Sequence, residues 1–201
     1  MKIFGSAVFG SRSISLFLAA AVLVIAQEMS VRADSIESLL PPFAGKGYQF
    51  TKASKDDHHI DGWLPVKWCD NSKWAAVNAT YTKLEDSPAP GAAAVRIKIE
   101  KVDDGQLQLT TFDGNSEYKK GTKYVVSGWA RSEQFTPVMV GAREEDEPHD
   151  FYDHLDIPAG ANWKRFEFVF TPEMDCIAWI MFVMKEPGTV DLAGISVVEK
   201  P

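Results

Sequence analysis

Strict alternation of apolar and polar residues recurs along this chain and restricts it to strands with one face in a core. Val95, Ile97 and Ile99 alternate with Arg96, Lys98 and Glu100; Leu107 and Leu109 with Gln106 and Gln108; Phe166, Phe168 and Phe170 with Arg165, Glu167 and Thr171. Neighbouring side chains of a strand point to opposite faces, so a period of two buries every second residue, which the 3.6 period of a helix cannot do. Apolar runs over 74–81, 124–131, 138–143, 177–184 and 190–199 read as further strands. Turn sequences such as Asp103-Asp104-Gly105, Asp113-Gly114-Asn115, Lys120-Gly121 and Pro187-Gly188 separate them. Helical periodicity is confined to a short stretch over 34–40 that Pro41-Pro42 ends. Eight or more short strands without helices predict an all-β sandwich or barrel.

The N-terminus is a separate matter. Lys2 and Arg12 precede an uncharged apolar run over 14–26, and Val31-Arg32-Ala33 follows. That is the arrangement of a secretory signal, cut after Ala33. The run is shorter than the roughly 20 residues of a spanning helix, so it reads as a cleaved segment and not an anchor. Residues 34–201 are then a single domain of ordinary size, undivided by any Pro- or Gly/Ser-rich linker. The net charge of −7 disfavours nucleic acid and anionic lipid, which are bound chiefly through Lys and Arg. Cys69 and Cys176 are the only cysteines. In an oxidising compartment they are a candidate disulfide, with two buried thiols as the other reading.

Several segments carry a resemblance. Asp61-Gly62-Trp63 is followed by 91–99, by Lys120-Gly121-Thr122-Lys123-Tyr124 running into Ser127-Gly128-Trp129-Ala130-Arg131, by Trp163-Lys164-Arg165-Phe166-Glu167-Phe168, and by 188–197. In this order they resemble the carbohydrate-binding modules of families 4, 9 and 22. The resemblance implies a galactose-binding-like jelly roll of two antiparallel sheets, a glycan held on a concave sheet face, and a secreted, non-catalytic role. It also implies structural calcium at a pair of acids before the last strand. Ala193 and Gly194 stand at those positions here, which leaves Asp191 as the weak metal candidate. No other cofactor is called for.

A sugar ring offers an apolar face and a rim of hydroxyls, so its site needs aromatic platforms beside planar polar groups. Alternation over 124–131 sets Trp129 and Arg131 on one face with Val125 and Ser127. Gln106 and Gln108 point opposite to Leu107 and Leu109, and Arg143 ends the next strand. Trp68, Asn71 and Trp74 fall where the resembling modules have a cleft-rim loop, and Tyr152 lies in the acidic segment after Arg143. Trp68, Trp74, Gln106, Gln108, Trp129, Arg131, Arg143 and Tyr152 are thus the candidate ligand-binding set, while Trp63, Trp163 and Trp179 are assigned to the core. The acidic and histidine-rich segment 143–154 reads as a solvated loop. Asp56-Asp57-His58-His59 reads as another.

No phosphate loop, nucleophile elbow or zinc-protease motif is present in the sequence. The leading expectation is a poly- or oligosaccharide partner. The alternatives are an envelope-associated or extracellular sandwich that binds a protein, and a hydrolase or lyase using the acids of 143–154.

Overall fold

A computed structural model of the chain describes residues 38–40, 43, 45–111, 116–134, 136–145, 147–158 and 160–200. The proposed signal segment 1–33 and most of the expected 34–40 helix lie outside the described residues. The compact unit spans Glu37–Pro201. In chain order the strands are β1 (Gly47–Ala53), β2 (His59–Pro65), β3 (Trp68–Asp70), β4 (Ala76–Leu84), β5 (Ala94–Asp104), β6 (Leu107–Thr111), β7 (Ser116–Tyr118), β8 (Tyr124–Ser132), β9 (Val138–Glu144), β10 (Phe151–Ile157), β11 (Lys164–Phe170), β12 (Cys176–Met184) and β13 (Gly188–Glu199). A 3-10 turn occupies Lys55–Asp57.

The strands form two sheets. The first runs β1-β2-β4-β5-β13-β8-β11, and the second β10-β9-β12-β6-β3 with β7 added beside β12. Ile97, Ile99, Val126, Phe168 and Leu192 of the first sheet meet Leu107, Leu109, Val140, Ile180 and Phe182 of the second in one core cluster. The central strands contribute alternate residues to that cluster, as β8 shows by burying Tyr124, Val126 and Ala130 while Val125, Ser127 and Trp129 turn outward. The expected jelly-roll sandwich is therefore observed.

One pairing departs from the antiparallel expectation: β2 and β4 run parallel. After β2 the chain crosses to the second sheet as β3 and returns as β4, so both strands are travelled in the same direction. Gly62 makes the approach possible, because at its φ of 118° a Cβ would lie 2.0 Å from the Tyr81 carbonyl oxygen.

Short or polar strands escaped the periodicity argument. β1 is largely exposed, and β10 is the acidic stretch expected to be a solvated loop; instead it pairs with β9 over Phe151–Ile157. Residues 56–59 also depart from a surface loop. His58 is buried, its Nδ1 donates to the carbonyls of Lys55 and Asp56, and its Nε2 sits 3.0 Å from Asp103 Oδ2.

Candidate functional site

Eight residues were expected to line one cleft, and the fold distributes them over three places. Trp68 lies in the core, fully buried, edge-on to Phe43 at 4.8 Å and tilted against Phe182. The reason is its neighbour Asp70, which points the same way on β3. Asp70 receives the Tyr81 hydroxyl at 2.7 Å, the Ser72 hydroxyl at 3.0 Å and the Ser72 amide at 2.9 Å, and pairs with Lys52 from β1. This buried carboxylate joins the two sheets and carries Trp68 inward. Burial, followed by the charge of Asp70, raises the Tyr81 phenol well above its ordinary range and keeps it a donor.

Trp129 and Arg131 emerge on the outer face of the first sheet. Arg131 Nε donates to Asp191 Oδ2 at 2.6 Å, its Nη1 meets Asp86 at 2.8 Å, and its guanidinium lies 4.5 Å from the Trp163 ring. Arg96 holds the other side of Asp191 through Nε at 2.9 Å and Nη2 at 3.0 Å, and also reaches Glu133. Both oxygens of the buried Asp191 thus belong to guanidinium groups. Calcium does not fit there, since two fixed cations and the Ala193–Gly194 pair replace its ligands. Trp163, expected in the core, is half-buried in this network. Trp63 is half-buried but does pack against the core cluster.

Tyr152 turns away from the outer face, stacks on Phe170 at 6.5 Å and hydrogen-bonds Glu144 at 3.3 Å. Burial first, then the Cys176 thiol and Glu144, raise its phenol above the ordinary range, and burial likewise pushes the Cys176 thiol up. Cys69 and Cys176 are not joined in a disulfide. Cys69 sits opposite Thr110, and Thr110 opposite Met181. Cys176 is five positions from Met181, about 17 Å along the strand, well beyond the roughly 7 Å limit on Cα separation.

The outer face of the second sheet gathers the remaining four candidates and several residues the sequence reading missed. Core residues Ala178, Ile180 and Phe182 put Trp179, Met181 and Val183 on the opposite side of β12. By the same parity β9 presents Met139, Gly141 and Arg143, and β6 presents Gln108 and Thr110. The register aligns three rows across the strands. Trp179 faces Arg143, which faces Phe151; Thr110, Met181, Gly141 and His154 form the next row; Gln108, Val183, Met139 and Asp156 form the third.

Phe151 packs against Gly141, where a Cβ would lie 2.5 Å from its ring. Arg143 Nε donates to the His149 carbonyl at 2.7 Å with its guanidinium 5.9 Å from the Phe151 ring, and His149 stacks on Trp179 at 6.4 Å. At the other end Asn71 Nδ2 donates to Gln108 Oε1 at 3.0 Å, and Trp74, half exposed, leans on Gly105 with Nε1 donating to the Asn71 carbonyl. Gln106 stands just before β6, half-buried. The buried Thr110 hydroxyl makes no hydrogen bond to any described residue. A depression of about 170 Å³ lined by Met139, Asp156 and Val183, with Pro137, Lys185 and Glu186, continues the third row. This side of the sheet therefore combines a buried floor of Gln108, Thr110, Met181 and Val183 with more exposed aromatic rings at two ends and the half-buried Arg143 guanidinium.

Trp179 was missed because β12 is apolar on both faces from Ile177 to Met184, so alternation carries no parity. The signal available was that very feature: a strand with no polar face in an otherwise alternating sandwich has an apolar stripe outside the core.

No protein-family model matches the chain, and no curated protein matches it. Solved structures do. A family 4 carbohydrate-binding module superposes with a TM-score of 0.53 at 19% identity, over 66% of this chain and 86% of that one. The enzymatically active domain of tailspike protein 4 of bacteriophage CBA120 gives 0.52 at 14% identity, over 67% of this chain and 20% of that one. A Clostridium thermocellum endo-1,4-β-D-xylanase 10B fragment, carrying a family 22 carbohydrate-binding module and a catalytic module with xylohexaose, gives 0.50 at 11% identity, over 67% of this chain and 26% of that one. At these identities the likeness is one of fold. The chain is a jelly-roll sandwich with the fold of carbohydrate-binding modules of the family 4, 9 and 22 type.

Proposed function

We propose that this is a secreted, non-catalytic carbohydrate-binding protein whose glycan lies across the outer face of β6, β12, β9 and β10. The observation that carries the reading is the composition of that face. Phe151 and Trp74 offer exposed ring surface for stacking and Asn71 and Arg143 half-buried hydrogen-bonding groups, with Trp179 beneath His149 and the buried Gln108 and Thr110 in the floor behind them. The likeness to carbohydrate-binding modules supports a saccharide ligand, although fold by itself does not assign a ligand.

The non-catalytic part of the reading is supported by the state of the acidic segment. Of its acids Glu144 hydrogen-bonds Tyr152 on the core side, which takes that one carboxylate out of a pair of the kind glycoside hydrolysis requires. Export rests on the N-terminal sequence. No helix among the described residues is long and apolar enough to cross a membrane.

Calorimetric titration against xylan, β-glucan, mannan and cellulose fragments tests the proposal. Saturable binding to one class, lost in Trp179→Ala with a thermal midpoint lowered by no more than about 4 °C, is the expected result. Binding that survives in Trp179→Ala but disappears in Trp129→Ala would move the site to the other face, and silence toward every glycan would overturn the reading.

A further inference from the structure

Four arginines lie among the described residues, and three of them are matched with carboxylates: Arg96 with Asp191 and Glu133, Arg131 with Asp191 and Asp86, Arg165 with Glu167. Arg143 is the exception. Among the described residues no carboxylate lies within ion-pair distance of it, although the chain is net acidic and Glu144, Glu145, Asp146, Glu147 and Asp150 follow within seven positions. Its neighbours are instead the His149 carbonyl, which takes Nε at 2.7 Å, and the Phe151 ring at 5.9 Å.

That arrangement orients a half-buried guanidinium without neutralising it. With Nε committed, Nη1 and Nη2 remain as donors, and the planar fork matches the two oxygens of a carboxylate. Trp179 and Phe151 are the cross-strand neighbours of Arg143 on either side, so a carboxylate held there would belong to a molecule whose ring rests on an aromatic surface. Two imidazoles, His149 over Trp179 and His154 beside Phe151, complete the end of the face.

We propose that the Trp179–Arg143–Phe151 row is a subsite for a uronic acid residue, and that the protein prefers acidic glycans over neutral ones of the same backbone. This rests on the reading of the second sheet's outer face as the glycan site.

The test is titration of the full chain against matched pairs: glucuronoxylan, polygalacturonate and alginate fragments, each beside its carboxyl-reduced form, with a sulfated glycan and its desulfated form as a further arm. One uronate fragment binding about tenfold or more tighter than its reduced partner, the preference shrinking at about 0.5 M salt, is the expected result. Arg143→Gln removes the preference by weakening the uronate fragment about tenfold more than its carboxyl-reduced partner, and Arg143→Lys restores only part of it. Equal affinity for both members of every pair overturns the uronate assignment and leaves the glycan site standing. Preference for sulfated over uronate chains overturns the carboxylate match, and absence of binding to any probe overturns both readings.

Discussion

The outer faces of the two sheets arise from the same alternating pattern, yet they differ in how their polar groups are used. On the first sheet Asp191, Arg96, Arg131, Glu133 and Asp86 answer one another, with Trp163 beneath a guanidinium. On the second, Arg143 has no carboxylate partner and the Thr110 hydroxyl no hydrogen-bond partner among the described residues, and Trp74 stands half exposed. A face whose charges are internally matched holds the fold together, whereas a half-buried guanidinium without a described carboxylate, beside aromatic rings, keeps donors for a ligand. Tryptophan content alone does not separate the two, because each face carries two of them, Trp129 and Trp163 on one and Trp74 and Trp179 on the other.

The sharpest contrast is between tryptophans of the second sheet. Trp68→Ala removes a fully buried ring and is expected to cost about 3 to 5 kcal/mol in chemical denaturation. Trp179→Ala is expected to cost less than about 1 kcal/mol while abolishing glycan binding. Equal destabilisation by both would erase the distinction between core and face.

Next in size is Asp191→Asn. It leaves two guanidinium groups facing an amide, and should destabilise by about 2 to 3 kcal/mol, below the range for a fully buried pair because both arginines are partly exposed. Glycan affinity should not change. A loss of affinity at constant stability would place ligand on the first sheet.

Gln108→Ala removes a buried amide that accepts from Asn71 in the floor of the proposed site, and should weaken binding about three- to tenfold while destabilising the fold by about 1 kcal/mol. Unaltered affinity would exclude the β6 end of the face from the site.

The smallest effect is on pH dependence. Lys101 holds the Asp103 carboxyl below its ordinary range, and Lys55 does the same for Asp104. Both groups bind protons more readily when unfolded, so their contribution is present above about pH 5 and is lost as pH falls below about 4. These carboxylates are solvent-exposed, so the expected signature is a slight fall in thermal midpoint that high salt or the pair Asp103→Asn and Asp104→Asn removes. A midpoint in acid unaffected by either would show that these pairs contribute nothing.

Much of the sandwich was legible because β5, β6, β8 and β11 alternate cleanly, and the turns between them carry Gly, Asp and Asn. Strands β1, β2, β3 and β10 were not, since their side chains answer to neighbours and not to a simple inside and outside. Asp70 is polar and buried because Tyr81, Ser72 and Lys52 satisfy it, and Phe151 is apolar and exposed because it rests on Gly141. The site was half legible. Gln108 and Arg143 follow from parity within their own strands, but nothing in one strand's pattern tells which sheet it joins. Trp129 and Arg131 were therefore grouped with residues that lie on the opposite side of the molecule.

The most direct test of the account is residue-resolved NMR mapping of a bound oligosaccharide on the protein. The account predicts that perturbed amides and side chains cluster over 106–110, 139–143, 149–154 and 179–183, with Trp129, Arg131 and Trp163 unmoved. Perturbations centred on Trp129, Arg131 and Trp163, with the β9 and β12 residues silent, would contradict it.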